Sequence, residues 1–195
     1  MDLEQQAWAA FERGDFAGAE VLFRSLPAGE GDLGLGYVLA ASGRYGEARR
    51  LYTRRRADAA GNLAREHVFL HQLGMVERMA GELRAALRCF QQEATLITAL
   101  GEPPLAVCTN AYELGTVWQE LGEPQRARTH FEQALSAGRA CGDFTALGCA
   151  ERGLGDWHAA HSEQTVAVLH WRAALNAFLT AGDEIGAQEI RERLA

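Results

Sequence analysis

Two pairs of histidines have a residue type and a spacing that could bind a metal ion or take part in catalysis. His67 and His71 are four residues apart, so a helix would present both imidazoles on one face, as a metal site requires. No third ligand accompanies them, and Glu66 precedes His67 rather than following it as in a metalloprotease motif. The sequence therefore favours two histidines on a helix surface over a metal centre.

His158 and His161 belong to a denser polar group that also contains Asp156 and Glu163. A metal or a helical active site at this group is the alternative to a solvated turn, and the sequence favours the turn. No nucleophile elbow, phosphate-binding loop or paired-carboxylate motif is found elsewhere in the chain. We therefore predict no catalytic residue, no metal and no cofactor.

Residues 29–34, Gly-Glu-Gly-Asp-Leu-Gly, match the glycine spacing of a dinucleotide-binding fingerprint. That fingerprint needs a preceding strand, whereas the residues before Pro27 have a helical pattern. The sequence favours a loop followed by the start of a helix.

A basic run occupies residues 49–56 and consists of Arg49, Arg50, Arg54, Arg55 and Arg56. Such a run can meet phosphate or an acidic partner. With acidic residues close by at positions 47 and 58, the sequence favours a solvated outer helix face.

The composition indicates the elements that must position these residues. The chain has 195 residues, a formal net charge of −7 and 48% apolar residues, the balance of a globular protein. It is rich in Ala and Leu and poor in β-branched residues, and all 19 basic residues are arginines. This composition favours helices over a large sheet, and the charge disfavours nucleic acid or an anionic membrane as partner.

No stretch approaches the roughly 18 consecutive apolar residues that would span a bilayer, and the first residues do not resemble a secretory leader. The four cysteines include no CxxC pair. Reduced thiols and a cytoplasmic location are therefore expected.

One block of residues recurs along the chain and predicts a stack of helical hairpins. Each block combines a turn residue, an alanine about five residues on and then an aromatic residue. In four of the five blocks, a Leu-Gly pair precedes the turn residue by seven positions. The Leu-Gly pairs are at 35–36, 73–74, 114–115 and 154–155, the turn residues are Gly14, Gly43, Gly81, Gly122 and Ser162, the alanines are Ala19, Ala48, Ala86, Ala127 and Ala167, and the aromatics are Phe23, Tyr52, Phe90, Phe131 and Trp171. The glycine of each pair allows a neighbouring helix to approach, and the aromatic residue fills the space beside it.

The predicted helices lie near 2–13, 16–25, 30–42, 45–58, 61–80, 82–100, 103–121, 124–141, 143–161, 163–181 and 183–194. Gly142-Asp143 and Gly182-Asp183 are typical of a helix end followed by an N-cap, and prolines at 103–104 and 124 suit a first helical turn.

These blocks resemble the tetratricopeptide repeat, whose pattern is matched best by Leu114, Gly115, Trp118, Gly122, Ala127, Phe131 and Ala134. The later copies look like its longer-helix variant of about 40 residues. The resemblance implies an all-α, right-handed superhelical solenoid of about five antiparallel helix pairs with a C-terminal capping helix. The solenoid is expected to form one domain over 1–195, with copies near 1–28, 29–59, 60–101, 102–142 and 143–182 and a cap at 183–195. The first copy lacks the Leu-Gly pair, and Arg55, Ser162 and Pro124 depart from the family pattern.

Members of the family usually bind peptides or helices on the concave side, which is lined by the first helix of each pair. Carried onto this chain, that face contains Trp8, Tyr37, His71, Gln72, Met75, Arg78, Tyr112, Glu113, Thr116, Gln119, Arg152 and Asp156. For Tyr37, Met75 and Tyr112, packing between repeats is an equal alternative. The family's lysine-containing clamp for a C-terminal carboxylate is disfavoured, because the chain has no lysine.

The resemblance therefore predicts a non-catalytic scaffold that binds a protein or peptide partner. The alternative is a regulatory module that senses a small ligand or signal peptide in the groove. A homodimer is also possible, since an imperfect end repeat can stack on its copy.

Overall fold

The computed structural model describes residues 2–27 and 29–195, and these residues form α-helices joined by short turns, with no strand among them. The helices are α1 (Leu3–Glu12), α2 (Phe16–Ser25), α3 (Asp32–Ala41), α4 (Tyr45–Asp58), α5 (Leu63–Met79), α6 (Leu83–Ala99), α7 (Pro104–Glu120), α8 (Pro124–Cys141), α9 (Phe144–Ala160), α10 (Gln164–Ala181) and α11 (Glu184–Leu194). Each predicted helix is present, with ends that agree within two residues. The all-α prediction is confirmed.

The chain consists of two compact units. Unit 1 spans Met1–Leu96 and contains α1 to α5 with most of α6. Unit 2 spans Ile97–Ala195 and contains α7 to α11. Successive helices pack against one another from α1 to α5 in unit 1 and from α7 to α11 in unit 2. Short connections make such neighbours antiparallel.

Each Leu-Gly pair provides the close contact that the sequence predicts. A Cβ atom added to Gly74 would lie 2.5 Å from the Phe90 ring, and one added to Gly115 would lie 2.6 Å from the Phe131 ring. These distances are shorter than carbon atoms tolerate, so only glycine lets the two helices of a pair approach this closely. In the fifth pair, Gly155 makes the same contact with Trp171.

The repeated alanines complete the helix interfaces. Ala19, Ala48, Ala86, Ala127 and Ala167 have no exposed surface at all. A larger side chain at any of these positions would push a helix away from its neighbour.

The turns between helices have the left-handed residues and N-caps that the sequence predicts there. Gly122 ends the first helix of its pair with a φ of 75°, and Ser162 adopts the same left-handed conformation with a φ of 61°. Asp143 and Asp183 are N-caps that accept hydrogen bonds of 2.8 Å from the backbone amides of Ala146 and Gly186. The predicted helix ends and N-caps at these positions are therefore confirmed.

The last helix closes unit 2. In α11, Ala187 and Ile190 are fully buried and join a cluster that contains Trp171 and Phe178 of α10. The outer face of α11 carries charged residues, as a capping element of a repeat array requires.

Within residues 2–27 and 29–195, no helix has the length and apolar character needed to cross a membrane. All four cysteines are free thiols; Cys108 is buried, and Cys89, Cys141 and Cys149 are half-buried.

Candidate partner-binding surface

Helix α7 presents three of the predicted contact residues on one face. Tyr112, Thr116 and Gln119 follow one another at helical spacing, and Gln119 is exposed at the end of the row. With Asp156 of α9, they line a hollow of about 130 Å³. The structure therefore brings together four predicted residues in unit 2.

The remaining walls of this hollow are formed by Glu120, Phe131 and Gly153. A Cβ atom on Gly153 would lie 2.7 Å from Phe131 and 3.2 Å from Tyr112. Gly153 therefore allows α9 to pack directly against these two rings. The repeat pattern predicts the Phe131 ring beside Gly115, but it does not indicate that Glu120, Phe131 and Gly153 line a hollow.

Arg152 lies behind the hollow and serves contacts within unit 2. Its Nη2 donates a 2.9 Å hydrogen bond to the Tyr112 hydroxyl, and its Nη1 forms a short ion pair with Glu189 of α11. Its guanidinium also lies 5.7 Å from the ring centroids of Tyr112 and Phe178. Burial raises the pKa of the Tyr112 phenol, and the neighbouring Arg152 opposes this effect only in part.

The Asp156 carboxylate is also bound by other side chains of unit 2. One carboxylate oxygen accepts a 2.8 Å hydrogen bond from Trp171 Nε1, and Arg193 of α11 donates to both oxygens at 2.8 and 3.1 Å. Asp156 thus lines the hollow while its charge is balanced by α11. Glu113, which the sequence places on the same face, is a buried residue of α7.

In unit 1, the predicted contact residue His71 of α5 lies beside a buried carboxylate. Glu93 of α6 is 1% exposed, and its two oxygens lie 3.1 and 3.0 Å from His71 Nδ1. His67 Nδ1 lies 3.7 Å from the same carboxylate. The two histidines therefore meet a single glutamate that the sequence analysis missed, because Glu93 shares no local motif with them.

The other predicted residues of α5 are half-buried. The Tyr52 hydroxyl donates its proton to the Leu33 carbonyl at 2.7 Å, and Gln72 Oε1 lies 3.5 Å from the same hydroxyl oxygen. Met75 and Arg78 have partly exposed side chains on the same helix.

Trp8 and Tyr37 belong to an aromatic cluster between the first two helix pairs. The Trp8 ring centroid lies 5.1 Å from Phe23 and 6.0 Å from Tyr37, and Tyr37 lies 5.2 Å from Phe11. These distances are typical of packed aromatic pairs. For these two residues the geometry favours packing between repeats.

The second histidine group is also involved in internal contacts. The His158 ring stacks on His170 with centroids 5.3 Å apart, and His161 stacks on Trp157 at 3.9 Å. His170 Nδ1 lies 2.6 Å from the Glu151 carboxylate. Across the part of the chain that the structure describes, no three His, Cys, Asp or Glu side chains are arranged to hold a metal ion.

The glycine-rich segment at 29–34 forms a turn and the first residues of α3. Helix α2 precedes it, so the strand that a dinucleotide-binding unit requires is absent from the described residues before it.

Several solved structures resemble this chain closely in fold. BtubC (BKLC) from P. vanneervenii has 15% sequence identity and a TM-score of 0.68, over 99% of this chain and 89% of that chain. MamA has 20% identity and a TM-score of 0.56, over 93% of this chain and 98% of that chain. A chain of the APC/C hetero-tetramer Cut9-Hcn1 has 16% identity and a TM-score of 0.66, over 98% of this chain and 35% of that chain. At these identities the likeness shows the fold, and it confirms the predicted repeat solenoid.

Family models identify the repeats directly. One model described as tetratricopeptide repeat matches residues 65–140, and a second with the same description matches residues 3–25 and 29–53. No curated protein sequence matches the chain significantly. The two matches together cover more than half of the 195 residues, and they agree with the helix pairs seen in both units. The chain belongs to the tetratricopeptide repeat family, whose members are in general non-catalytic scaffolds for protein interactions.

Proposed function

We propose that this scaffold binds an extended or helical segment of another protein on the surface formed by the first helices of its repeats, without catalysis. The observation that carries the proposal is the convergence of Tyr112, Thr116, Gln119 and Asp156 around one hollow of unit 2. The α5 residues His71, Gln72, Met75 and Arg78 form the corresponding proposed surface of unit 1. Trp8, Tyr37, Glu113 and Arg152 support the surface by packing rather than by contacting the partner.

The chemistry of the hollow indicates what it accepts. Its aromatic walls, Tyr112 and Phe131, lie beside the carboxylates of Glu120 and Asp156. Such a site suits a partner side chain with an apolar stem and a polar tip, since the stem packs on the rings while the tip lies beside Glu120. Asp156 already pairs with Arg193, so it contributes a polar wall rather than an uncompensated charge.

The volume of the hollow favours a side chain over a small-molecule ligand. About 130 Å³ lies below the roughly 300–1,000 Å³ of typical small-molecule sites. A preformed helical surface also loses little conformational entropy when a partner binds, which suits a scaffold.

The proposal is tested by site-specific photo-cross-linking in lysate of the source cells. A photoreactive benzoylphenylalanine is placed at position 119, at the edge of the hollow. The matched control carries it at position 125, where an exposed glutamine lies on α8 of the same unit. We expect one protein to cross-link reproducibly from position 119 and not from position 125.

Adducts from position 125 alone, or no protein adduct from either position, would contradict the proposed surface. A non-protein adduct confined to position 119 would instead favour the ligand-sensing alternative.

A further inference from the structure

Unit 1 carries a groove on a different side from the proposed first-helix surface. The groove lies between α2, α3 and α4, and it has a volume of about 360 Å³. Its apolar floor is formed by Leu35, Leu39 and Leu51. Leu35 and Leu39 each lie two residues from Tyr37, which on a helix places them on the opposite side of α3.

A second hollow of about 260 Å³ extends this groove. Both are lined by Arg24, Leu35, Leu51 and Arg54, so they adjoin. The extension adds the apolar side chains of Phe23, Leu26 and Pro27. Together the two hollows offer more space than a single side chain fills, as a bound peptide segment requires.

The basic run of α4 divides into arginines that hold the fold together and arginines that do not. Arg49 binds Glu77 of α5 through hydrogen bonds of 2.6 and 2.7 Å, and Arg56 binds Glu66 at 3.2 Å. Arg55 forms a short ion pair with Asp32 of α3. These three side chains therefore connect α4 to its neighbours.

Unlike these three arginines, Arg50 and Arg54 do not connect α4 to a neighbouring helix, and both line the groove. They are exposed, and neither forms an ion pair or hydrogen bond with the residues in 2–27 and 29–195. Their spacing of four residues places both guanidinium groups on one edge of α4. Arg24 of α2 lies on the opposite edge, where its side chain is 52% exposed.

The carboxylates near the rim already have partners. Glu47 accepts two hydrogen bonds from Arg44 at 2.7 and 2.8 Å, and Glu20 binds both Arg44 and Arg24. Arg50 interacts electrostatically with Glu47, but the charged side chains that line the groove are three arginines and one glutamate. The groove is therefore locally positive, although the whole chain has a net charge of −7.

We propose that this arginine-rimmed groove binds an acidic segment of a partner protein. One or more large apolar side chains of the segment pack on Leu35, Leu39 and Leu51, while flanking carboxylates pair with Arg50 and Arg54. Guanidinium groups bind carboxylates in a bidentate geometry, and apolar contact beside the pair keeps water away from it.

Charge and shape favour this occupant over other anionic partners. A nucleic acid would use phosphate contacts but would leave the apolar floor unused, and the acidic chain as a whole would repel it. An anionic bilayer would need apolar groups that protrude, whereas the leucines lie at the bottom of a concave site.

The test is a selection of 16-residue peptides from a random display library on the wild-type chain. The selected peptides are then measured by fluorescence anisotropy against two variants. Arg50→Glu/Arg54→Glu reverses both charges of the rim. The matched control, Arg84→Glu/Arg88→Glu, changes two exposed arginines with the same spacing on α6 of unit 1. Circular dichroism and the thermal midpoint confirm that each variant is folded.

We expect the selected peptides to combine glutamate or aspartate with large apolar residues. Their affinity for Arg50→Glu/Arg54→Glu should be at least about tenfold weaker than for the wild type, and their affinity for the control should change less than about twofold. Binding should also weaken as salt is raised.

The proposal is overturned if no peptide is selected, if the selected peptides lack an acidic excess, or if both variants bind them equally. It is also overturned if the rim variant instead loses binding to phosphatidylserine vesicles, to a 20-nucleotide RNA or, in sedimentation experiments, to a second copy of the chain, while peptide binding is unaffected.

Discussion

Arg152 Nη2 donates a 2.9 Å hydrogen bond to the Tyr112 hydroxyl and so connects α9 to α7. The same guanidinium pairs with Glu189, which extends the connection to α11. The wall of the proposed binding hollow is therefore fixed by contacts behind it, and its shape depends on the capping helix of unit 2.

Removal of the Tyr112 hydroxyl should weaken this connection. Tyr112→Phe leaves one donor of Arg152 without its partner, and we expect the free energy of unfolding to fall by about 1 kcal/mol in urea titrations. The control is Tyr45→Phe, because the Tyr45 hydroxyl has no hydrogen-bond partner in the described chain. An equal loss in both variants would show that the Arg152 contact contributes nothing specific.

The close helix contact at Gly115 should not tolerate a methyl group. In Gly115→Ala the new Cβ would lie 2.6 Å from Phe131, so we expect a loss of about 2 kcal/mol or more in unfolding free energy. Gly46→Ala is the matched control, since the nearest atom to a Cβ there belongs to the Arg50 side chain at 3.7 Å. That variant should be neutral or up to about 1 kcal/mol more stable, because alanine favours a helix over glycine.

If Gly115→Ala leaves the urea midpoint unchanged, as the control should, then the close approach of α7 and α8 does not require glycine at position 115.

The turn at Ser162 should gain stability from glycine. Ser162 has a φ of 61°, a conformation that costs a residue with a side chain roughly 1–2 kcal/mol and costs glycine little. After the entropy that glycine loses on folding, we expect Ser162→Gly to raise the free energy of unfolding by about 0.5–1 kcal/mol, measured in urea. Ser136→Gly, in the exposed interior of α8, should lower it by about 0.5 kcal/mol. The same sign in both variants would contradict the strain assigned to Ser162.

Alkaline pH should destabilise the chain through Cys108. Burial raises the pKa of this thiol to about 12, whereas the thiol of an unfolded chain ionises near 8.5. The stability that the neutral thiol contributes is therefore present below pH 8.5 and is lost as the pH rises towards 12.

Cys108→Ala isolates this effect. Between pH 8 and pH 10 the wild type should lose about 1–2 kcal/mol more unfolding free energy than Cys108→Ala, as followed by urea denaturation with reductant present. Parallel losses in the two proteins would place the pH dependence on other groups.

The fold could be predicted because its determinants are local. Gly36, Gly74, Gly115 and Gly155 recur at the same distance from a turn and an aromatic residue, so a single pattern indicates both helices of a pair and their contact. The departure at Ser162 was also predictable, because its place in the repeat required a left-handed residue.

The side-chain partners could not be predicted in the same way. Arg152 and Asp156 meet Glu189 and Arg193, which lie 37 residues later on a helix with no repeat pattern of its own. Glu93 meets His71 across 22 residues and carries no motif. Partners across helices depend on the rotation of each helix about its axis, which sequence spacing alone does not determine.

The ion pairs of the α4 arginines could not be predicted from sequence spacing either. The sequence favours one solvated basic face, whereas the structure pairs Arg49, Arg55 and Arg56 with acids on neighbouring helices and leaves Arg50 and Arg54 at the groove.

Binding of a partner protein at the α7 face of unit 2 can be measured by isothermal titration. The partner cross-linked at position 119 is titrated into two variants. Thr116→Arg/Gln119→Arg fills the hollow, and Gln125→Arg/Thr129→Arg makes the same changes at exposed positions of α8. We expect the dissociation constant to rise at least about tenfold for the first variant and to stay within about twofold for the second. Equal affinity of both variants for the partner would contradict the account.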